Sequence, residues 1–170
     1  MSEAGLTKGG FYAHFESKDA LVVATVLTSL RSTAVRMRSA AEVAGANCGS
    51  RLSSIIEGYL SPDHVAARDM GCTIGSLLSD LTRGSKGVRE AAAEGAAKLV
   101  EVIEEALPNP LGRDRNSRVR AILGTLSGCL QLARLEADAV ARDAVHAAGR
   151  RAAYFLADGA PEGRAKGLSA

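Results

Sequence analysis

The first twenty residues contain a dense group of side chains that could contact a nucleic acid. They combine a hydroxyl, two lysines, two adjacent glycines, a tyrosine and a histidine, at Thr7, Lys8, Gly9, Gly10, Tyr12, His14 and Lys18. Glycine lets a backbone approach closely, the N–H groups at a helix start attract phosphate, and lysine, tyrosine and histidine can hold a phosphate backbone. A short helix of this composition suits the major groove of DNA. The residues alone are equally consistent with a loop and a short capping helix.

The elements that would position these side chains are two helices in succession. Thr7 is a good N-cap for a short helix over residues 8–13, and Ser17 is a good N-cap for the next one. Asp19 then lies near the positive end of the second helix. The side chains that would pack the short helix against the longer one are Leu6, Phe11, Phe15 and Leu21.

Composition places the chain among all-α proteins of ordinary solubility. It has 170 residues, 46% hydrophobic and 24% charged, and little of it alternates apolar with polar residues as a strand does. The net charge of +2 gives no general attraction to nucleic acid, so any basic surface must be local. No uncharged apolar run is long enough for a membrane span, and the N-terminus lacks the basic start of a signal peptide, so we expect a cytoplasmic protein without membrane contact.

Catalytic and metal-binding patterns are lacking in the sequence. Cys48, Cys72 and Cys129 are odd in number and widely spaced, which predicts reduced thiols and neither disulfides nor a zinc site. His64 and His146 stand apart from any nucleophile or carboxylate cluster; we expect His64 at a helix start and His146 at an interface. We therefore expect no enzyme, no cofactor and no metal.

Periodic apolar residues predict a series of helices from Ser17 to Ala157. The first should fade at Ala44-Gly45, and the stretch 45–50 reads as a loop. Further helices are expected over 51–60, from Met70 to Arg83, from Ser85 to about residue 106, over 115–136 and over 138–157, with a short capped segment at 61–68. The tail 158–170 reads as disordered.

The helix over 115–136 has two apolar faces, which predicts self-association. One face is large and regular, whereas the other contains glycines, each of which costs about 1 kcal/mol relative to alanine inside a helix. Close approach of another helix is the simplest reason for them, although the neighbouring helix of the same chain would serve equally. With the alanine band of the last helix, this face predicts a homodimer through a four-helix interface. The candidate interface residues are Gly124, Gly128, Leu132, Ala144 and Ala148.

The opening residues also resemble a known family. The stretch "AGLTKGGFYAHFESKDALVVA" is similar to the second half of the helix-turn-helix of the tetracycline-repressor (TetR/AcrR) family of bacterial transcription regulators. The similarity is nearly continuous over residues 4–24, and looser similarity extends to "SPDHVAARDMGCTIGSLLSDL" and "GCLQLARLE". The resemblance implies that Thr7, Lys8, Gly9 and Gly10 lie at the bases and Tyr12, His14 and Lys18 at phosphates.

The resemblance also implies a domain organisation. Residues 1–40 would be the C-terminal part of the helix-turn-helix domain with a connecting helix, and residues 41–157 a helical ligand-binding and dimerisation domain. The family's domain begins with a long helix and a second helix that precede the Ala4-Gly5 turn, roughly thirty to forty residues that this sequence lacks. We therefore expect loose packing of residues 1–16 and operator binding only when those helices are present.

Two functions follow from the resemblance. The first is a ligand-responsive bacterial repressor that binds operator DNA as a dimer when complete. The alternative is a free-standing regulatory and dimerisation domain without DNA binding of its own, which acts through a protein partner.

The family's pocket lies among the middle helices, and the apolar walls of that region here favour a small apolar effector. The candidate ligand-binding residues are Ile55, Tyr59, Met70, Ile74, Leu78, Ile103, Gln131 and Arg134.

Overall fold

A computed structural model describes residues 14–45, 48–67, 72–107 and 114–158 of the chain, with the backbone alone for residues 48–50. These residues form α-helices joined by short connections and contain no strand, which confirms the predicted all-α class. The helices are α1 (Lys18–Val43), α2 (Cys48–Tyr59), α3 (Pro62–Ala66), α4 (Thr73–Arg83), α5 (Lys86–Ala106), α6 (Arg115–Leu135) and α7 (Ala139–Asp158).

Serine side chains cap the N-termini of several of these helices. The hydroxyl of Ser17 accepts from the Ala20 N–H at 3.0 Å at the start of α1. Ser61 and Ser85 serve α3 and α5 in the same way. Because such a hydroxyl satisfies a backbone N–H that the helix itself cannot, each cap fixes where its helix begins.

The predicted limits of the helices agree with the structure to within a few residues, except at α2. This helix begins at Cys48 rather than after Ser50, within the stretch expected to be a loop. Cysteine, glycine and serine are weak helix formers, so local propensity gave no sign of this extra turn. The preceding helix, α1, ends at Val43, close to the predicted end at Ala44-Gly45. Gly45 then has a φ of 85°, a backbone conformation that favours glycine.

Two helix pairs organise the core. α1 packs along α5, α6 packs along α7, and α2 and α4 join the two pairs. The large apolar face predicted for α6 is confirmed, since all of its members are buried: Val119, Ile122, Leu123, Leu126, Leu130 and Ala133. The small face of α6 points away from this core.

Glycines bring the helices of each pair into close contact. A Cβ at Gly95 of α5 would clash with the side chain of Leu30 of α1, whose own Cβ would lie only 2.8 Å away. A Cβ at Gly149 of α7 would lie 2.8 Å from Sγ of Cys129 on α6. Such spacing lets a side chain of one helix sit directly on the backbone of the other.

Among the helices that the structure describes, α1 alone is long and apolar enough to cross a membrane by length and composition. Core helices of soluble proteins share those features, and α1 packs on α5 and α2. The predicted tail beyond Asp158 and nearly all of the segment 1–16 lie outside the described residues.

Candidate functional site

The predicted DNA contacts fall mainly outside the described part of the chain. Those outside it are Thr7, Lys8, Gly9, Gly10 and Tyr12. His14 and Lys18 are described, and both are exposed near the N-terminal end of α1. Lys18 is the first residue of α1, where the helix dipole adds to its positive charge. These two side chains are therefore accessible to a phosphate backbone.

A cavity of about 320 Å³ lies between α1, α2 and α3, and we call it the α1–α3 cavity. It contains two of the predicted ligand residues, Ile55 and Tyr59, which are 1% and 3% exposed. Its other lining residues are Thr33, Arg36, Met37, Ala40, Ser54, Gly58, Asp63, His64 and Ala67. α1 thus supplies one wall of the cavity.

Tyr59 and His64 form the polar edge of this cavity. Ser61 caps α3 and Pro62 begins it, and this tight turn brings the imidazole of His64 back to the end of α2. Nδ1 of His64 lies 2.8 Å from the carbonyl oxygen of Tyr59, and the two rings meet edge to face with centroids 5.0 Å apart. The hydroxyl of Tyr59 lies 3.2 Å from Oγ of Ser127 on α6.

The electrostatics of this edge keep both rings neutral. Burial lowers the pKa of His64, and the charges of Arg134 and Arg36 lower it further, against the opposing effect of the bond to Tyr59. Burial, with a contribution from Cys72, raises the pKa of Tyr59.

The hydrogen bonding of His64 leaves one ring nitrogen available as an acceptor. A carbonyl oxygen only accepts, so the proton of the neutral imidazole is on Nδ1 and Nε2 is an acceptor. That Nε2 is buried and has no hydrogen-bond partner among the described residues.

A larger groove of about 570 Å³ lies between α4, α5 and α6, and we call it the α4–α6 groove. It contains three further predicted ligand residues, Ile74, Leu78 and Gln131. Its remaining lining residues are Gly75, Ala93, Ala96, Ala97, Val100, Arg120, Leu123, Gly124, Ser127 and Gly128. The structure therefore divides the predicted ligand residues between two separate spaces.

The other three predicted ligand residues have different positions. Ile103 is fully buried in the core and lines neither space. Arg134 donates to the carbonyl oxygens of His64 and Ala67 at 2.9 and 3.2 Å and to Oγ of Ser76 at 3.2 Å, so it joins α6 to α3 and α4. Met70 lies outside the described residues.

The predicted dimer residues lie on the surface of α6 and α7. Gly124, Gly128, Ala144 and Ala148 are exposed, and Leu132 is 54% exposed. Three other large apolar side chains are also exposed on these two helices: Leu135, which belongs to the predicted second face of α6, and Val140 and Phe155, which the sequence analysis missed. A signal for the last two was present, because Val140, Ala144 and Ala148 are four residues apart and Phe155 continues their stripe. His146, expected at an interface, is instead only 2% exposed.

Within the described ranges, no group of three histidine, cysteine, aspartate or glutamate side chains could hold a metal ion. The surfaces of the α1–α3 cavity and the α4–α6 groove are mainly apolar with a few polar side chains, which suits the binding of a small molecule.

Comparison with known proteins bears on the N-terminal segment. The family model described as bacterial regulatory proteins, tetR family, matches residues 1–25. A search of curated proteins finds no match. The matched range includes the predicted DNA contacts and continues through the first two turns of α1. Residues 1–25 are therefore similar to the N-terminal segment of bacterial regulatory proteins of the tetR family.

Proposed function

We propose that the protein is a repressor that binds operator DNA as a homodimer and releases it when a small apolar molecule enters the α1–α3 cavity. One observation carries the proposal: α1 is continuous from the family-matched segment to the wall of that cavity. The match ends at residue 25, and Thr33, Met37 and Ala40 of the same helix line the cavity. A ligand that displaces this wall would move the DNA-binding segment as well.

Contacts along α1 explain how such a movement could be transmitted. Leu30 packs on Gly95, and the guanidinium of Arg38 lies 3.5 Å from the carboxylate of Glu105, so α5 holds the middle of α1. Because closely packed helices move as rigid bodies, a push on the cavity wall would tilt α1 about this contact. We propose that the tilt changes the spacing of the two DNA-binding segments in the dimer.

The cavity favours a compact effector with one hydrogen-bond donor. Its volume of about 320 Å³ is near the lower end of the range for ligand pockets. Ile55 and Met37 supply apolar walls, and His64 lines the edge with an Nε2 that has no hydrogen-bond partner among the described residues. A small apolar molecule with a hydroxyl or an N–H group fits this combination.

We propose that the outward face of α6 and α7 forms the dimer. The exposed apolar side chains there would otherwise remain in water, and burial against a second copy removes them. The interface comprises Gly124, Gly128, Leu132, Ala144 and Ala148, with Leu135, Val140 and Phe155 around them. We further propose that the protein acts in the cytoplasm, catalyses no reaction, and divides near residue 40 into a DNA-binding part and a ligand-binding and dimerisation part.

A ligand screen with matched variants tests the effector site. Apolar small molecules are screened for an increase in melting temperature, and each ligand found is tested for release of operator DNA. Gly58 lines the α1–α3 cavity, and a Cβ there would meet no atom within 4 Å, so Gly58→Leu adds apolar volume at the cavity from a position with room for its Cβ. Ala97→Leu adds the same side chain to the α4–α6 groove as a control.

Ligands are expected to stabilise the wild type and Ala97→Leu but not Gly58→Leu. An equal effect on Gly58→Leu and the wild type would show that the effector binds elsewhere.

A further inference from the structure

We propose that a small polar pocket between α3, α6 and α7 binds a zwitterion of the size of a small α-amino acid. We call it the α3–α7 pocket. Its volume of about 170 Å³ is below the usual range for drug-sized ligands, so only a small molecule fits. It shares no lining residue with the α1–α3 cavity or the α4–α6 groove, and the proposal needs no part of the repressor proposal.

Two buried nitrogen atoms of lining residues have no hydrogen-bond partner among the described residues. One is Nε2 of His146 on α7, a side chain that is 2% exposed. The other is Nε of Arg134 on α6, whose terminal nitrogens donate to α3 and α4 instead. Nε of an arginine can only donate, and Nε2 of a neutral imidazole donates in one of its two tautomers. Because buried donors normally have an acceptor, an oxygen atom of a ligand or of water is expected in the pocket.

The charges that line the pocket are balanced. Arg134 and Arg142 are positive, and Glu136 and Asp143 are negative. Burial lowers the pKa of His146, so this side chain is neutral at neutral pH. A ligand with a single charge of either sign would therefore meet two like charges in the pocket, whereas a zwitterion offers a partner to both signs.

The opposite charges share the pocket without pairing with each other. Within the described ranges, none of the four charged side chains forms an ion pair. Arg142 donates instead to the carbonyl oxygens of Glu136 and Ala137, at 3.5 and 3.3 Å.

Exposure gives the ligand an orientation. The carboxylates of Glu136 and Asp143 belong to exposed residues, whereas Arg134 is half-buried and His146 is buried. The carboxylate of an amino acid would accept from the two buried nitrogens, and its ammonium group would face the exposed carboxylates. Such a ligand satisfies the unpartnered donors and the unpaired charges together.

Titration calorimetry with L-alanine tests the proposal on the full chain. L-Alanine is expected to bind the wild type. Propionate lacks the ammonium group and ethylamine lacks the carboxylate, so each should bind at least about tenfold more weakly. Ala66→Leu adds apolar volume at the pocket and should weaken binding of L-alanine by about tenfold, whereas Ala97→Leu, which alters the α4–α6 groove, should leave it unchanged.

Substitution of an exposed carboxylate tests the ammonium position without disturbing the core. Asp143→Asn should weaken binding of L-alanine roughly threefold, a small effect because the residue is exposed, and should not weaken binding of propionate. Asp158→Asn removes an exposed carboxylate of the same helix that does not line the pocket, and it should affect neither ligand.

Substitution of His146 tests the carboxylate position. His146→Leu removes the donor and should weaken binding of L-alanine, whereas His146→Gln supplies an amide N–H and should restore part of it. Circular dichroism checks that both variants keep the helical fold.

The proposal is overturned if L-alanine does not bind the wild type, which would leave the pocket to water. It is also overturned if propionate binds as tightly as L-alanine, since the pocket would then select an anion. Undiminished binding of L-alanine by Ala66→Leu, or by a folded His146→Leu, would show that the amino acid binds elsewhere.

Discussion

Replacement of Gly95 by alanine should loosen the attachment of α1 to α5. Gly95 is buried, and Leu30, the side chain that rests on it, is fully buried. A Cβ on residue 95 would lie 2.8 Å from Cβ and 3.1 Å from Cγ of Leu30, both too close for a carbon–carbon contact. Because Cβ of Leu30 is fixed to the backbone of α1, a change of rotamer cannot remove the clash. The two helices must move apart.

The size of the effect follows from two opposing contributions. Overpacking of a core by one carbon costs about 1–3 kcal/mol. Alanine in a helix is better than glycine by about 1 kcal/mol, which offsets part of that cost. Gly87→Ala on the same helix should gain helix propensity without a clash, because its Cβ would lie 3.9 Å from the side chain of Val23, which is an ordinary contact. The free energies of unfolding of the two variants should therefore differ by about 1–3 kcal/mol, which is the cost of the clash itself.

Urea unfolding followed by helical circular dichroism measures this difference. Gly87→Ala should be more stable than the wild type, and Gly95→Ala should be less stable than Gly87→Ala by the stated amount, with the same dependence on urea concentration. If both alanines stabilised the protein equally, α1 would not rest on Gly95 and the proposed transmission through this contact would be refuted.

Three further predictions concern α6 and α7. Gly149→Ala should lower the free energy of unfolding by about 1 kcal/mol in the same assay, because overpacking against Cys129 exceeds the gain in helix propensity; no loss would contradict that contact. Burial lowers the pKa of His146, so the unfolded chain takes up a proton first as the pH falls below the ordinary imidazole pKa of about 6.5. Stability should be fully present above that pH and decline below it, and urea midpoints for His146→Leu should show a smaller decline; an identical decline would contradict the assignment. Leu132→Glu should yield monomers by light scattering, whereas Val35→Glu, at an equally exposed position on α1, should remain dimeric, and a monomeric wild type would refute the interface.

The elements could be predicted from the sequence because their signals are local. Ser17, Ser61 and Ser85 are each followed by a helix whose first N–H groups need an acceptor, and each hydroxyl accepts one. The apolar face of α6 could likewise be recognised, since its residues recur at helical spacing and all of them are buried.

The cavities could not be predicted, because periodicity shows which residues face inward but not which helix they face. Ile55 and Ile74 are both buried, yet they line different spaces. Ile103 has the same pattern and lies in neither. Arg134 has the chemistry of a ligand anchor, but three acceptors from α3 and α4 surround it, and only the fold brings them there.

The role of His64 also depended on the fold. Its availability as an acceptor follows from one bond to the carbonyl oxygen of Tyr59 and from burial of Nε2. Neither the hydrogen bond nor the burial of Nε2 can be recognised from a sequence pattern. The turn that brings them about can be recognised, because Ser61 and Pro62 are typical of a helix start.

Selection of bound DNA from a random library by the protein tests the central claim most directly. A dimeric repressor should enrich one sequence with two-fold symmetry, and Lys18→Ala should weaken binding to all sequences alike while reducing its salt dependence, because Lys18 is proposed to contact a phosphate. A ligand that raises the melting temperature of the wild type but not of Gly58→Leu should release the selected DNA from the wild type. The same ligand should not release DNA from Gly58→Leu. Failure to enrich any sequence, or enrichment of a site without symmetry, would contradict the account.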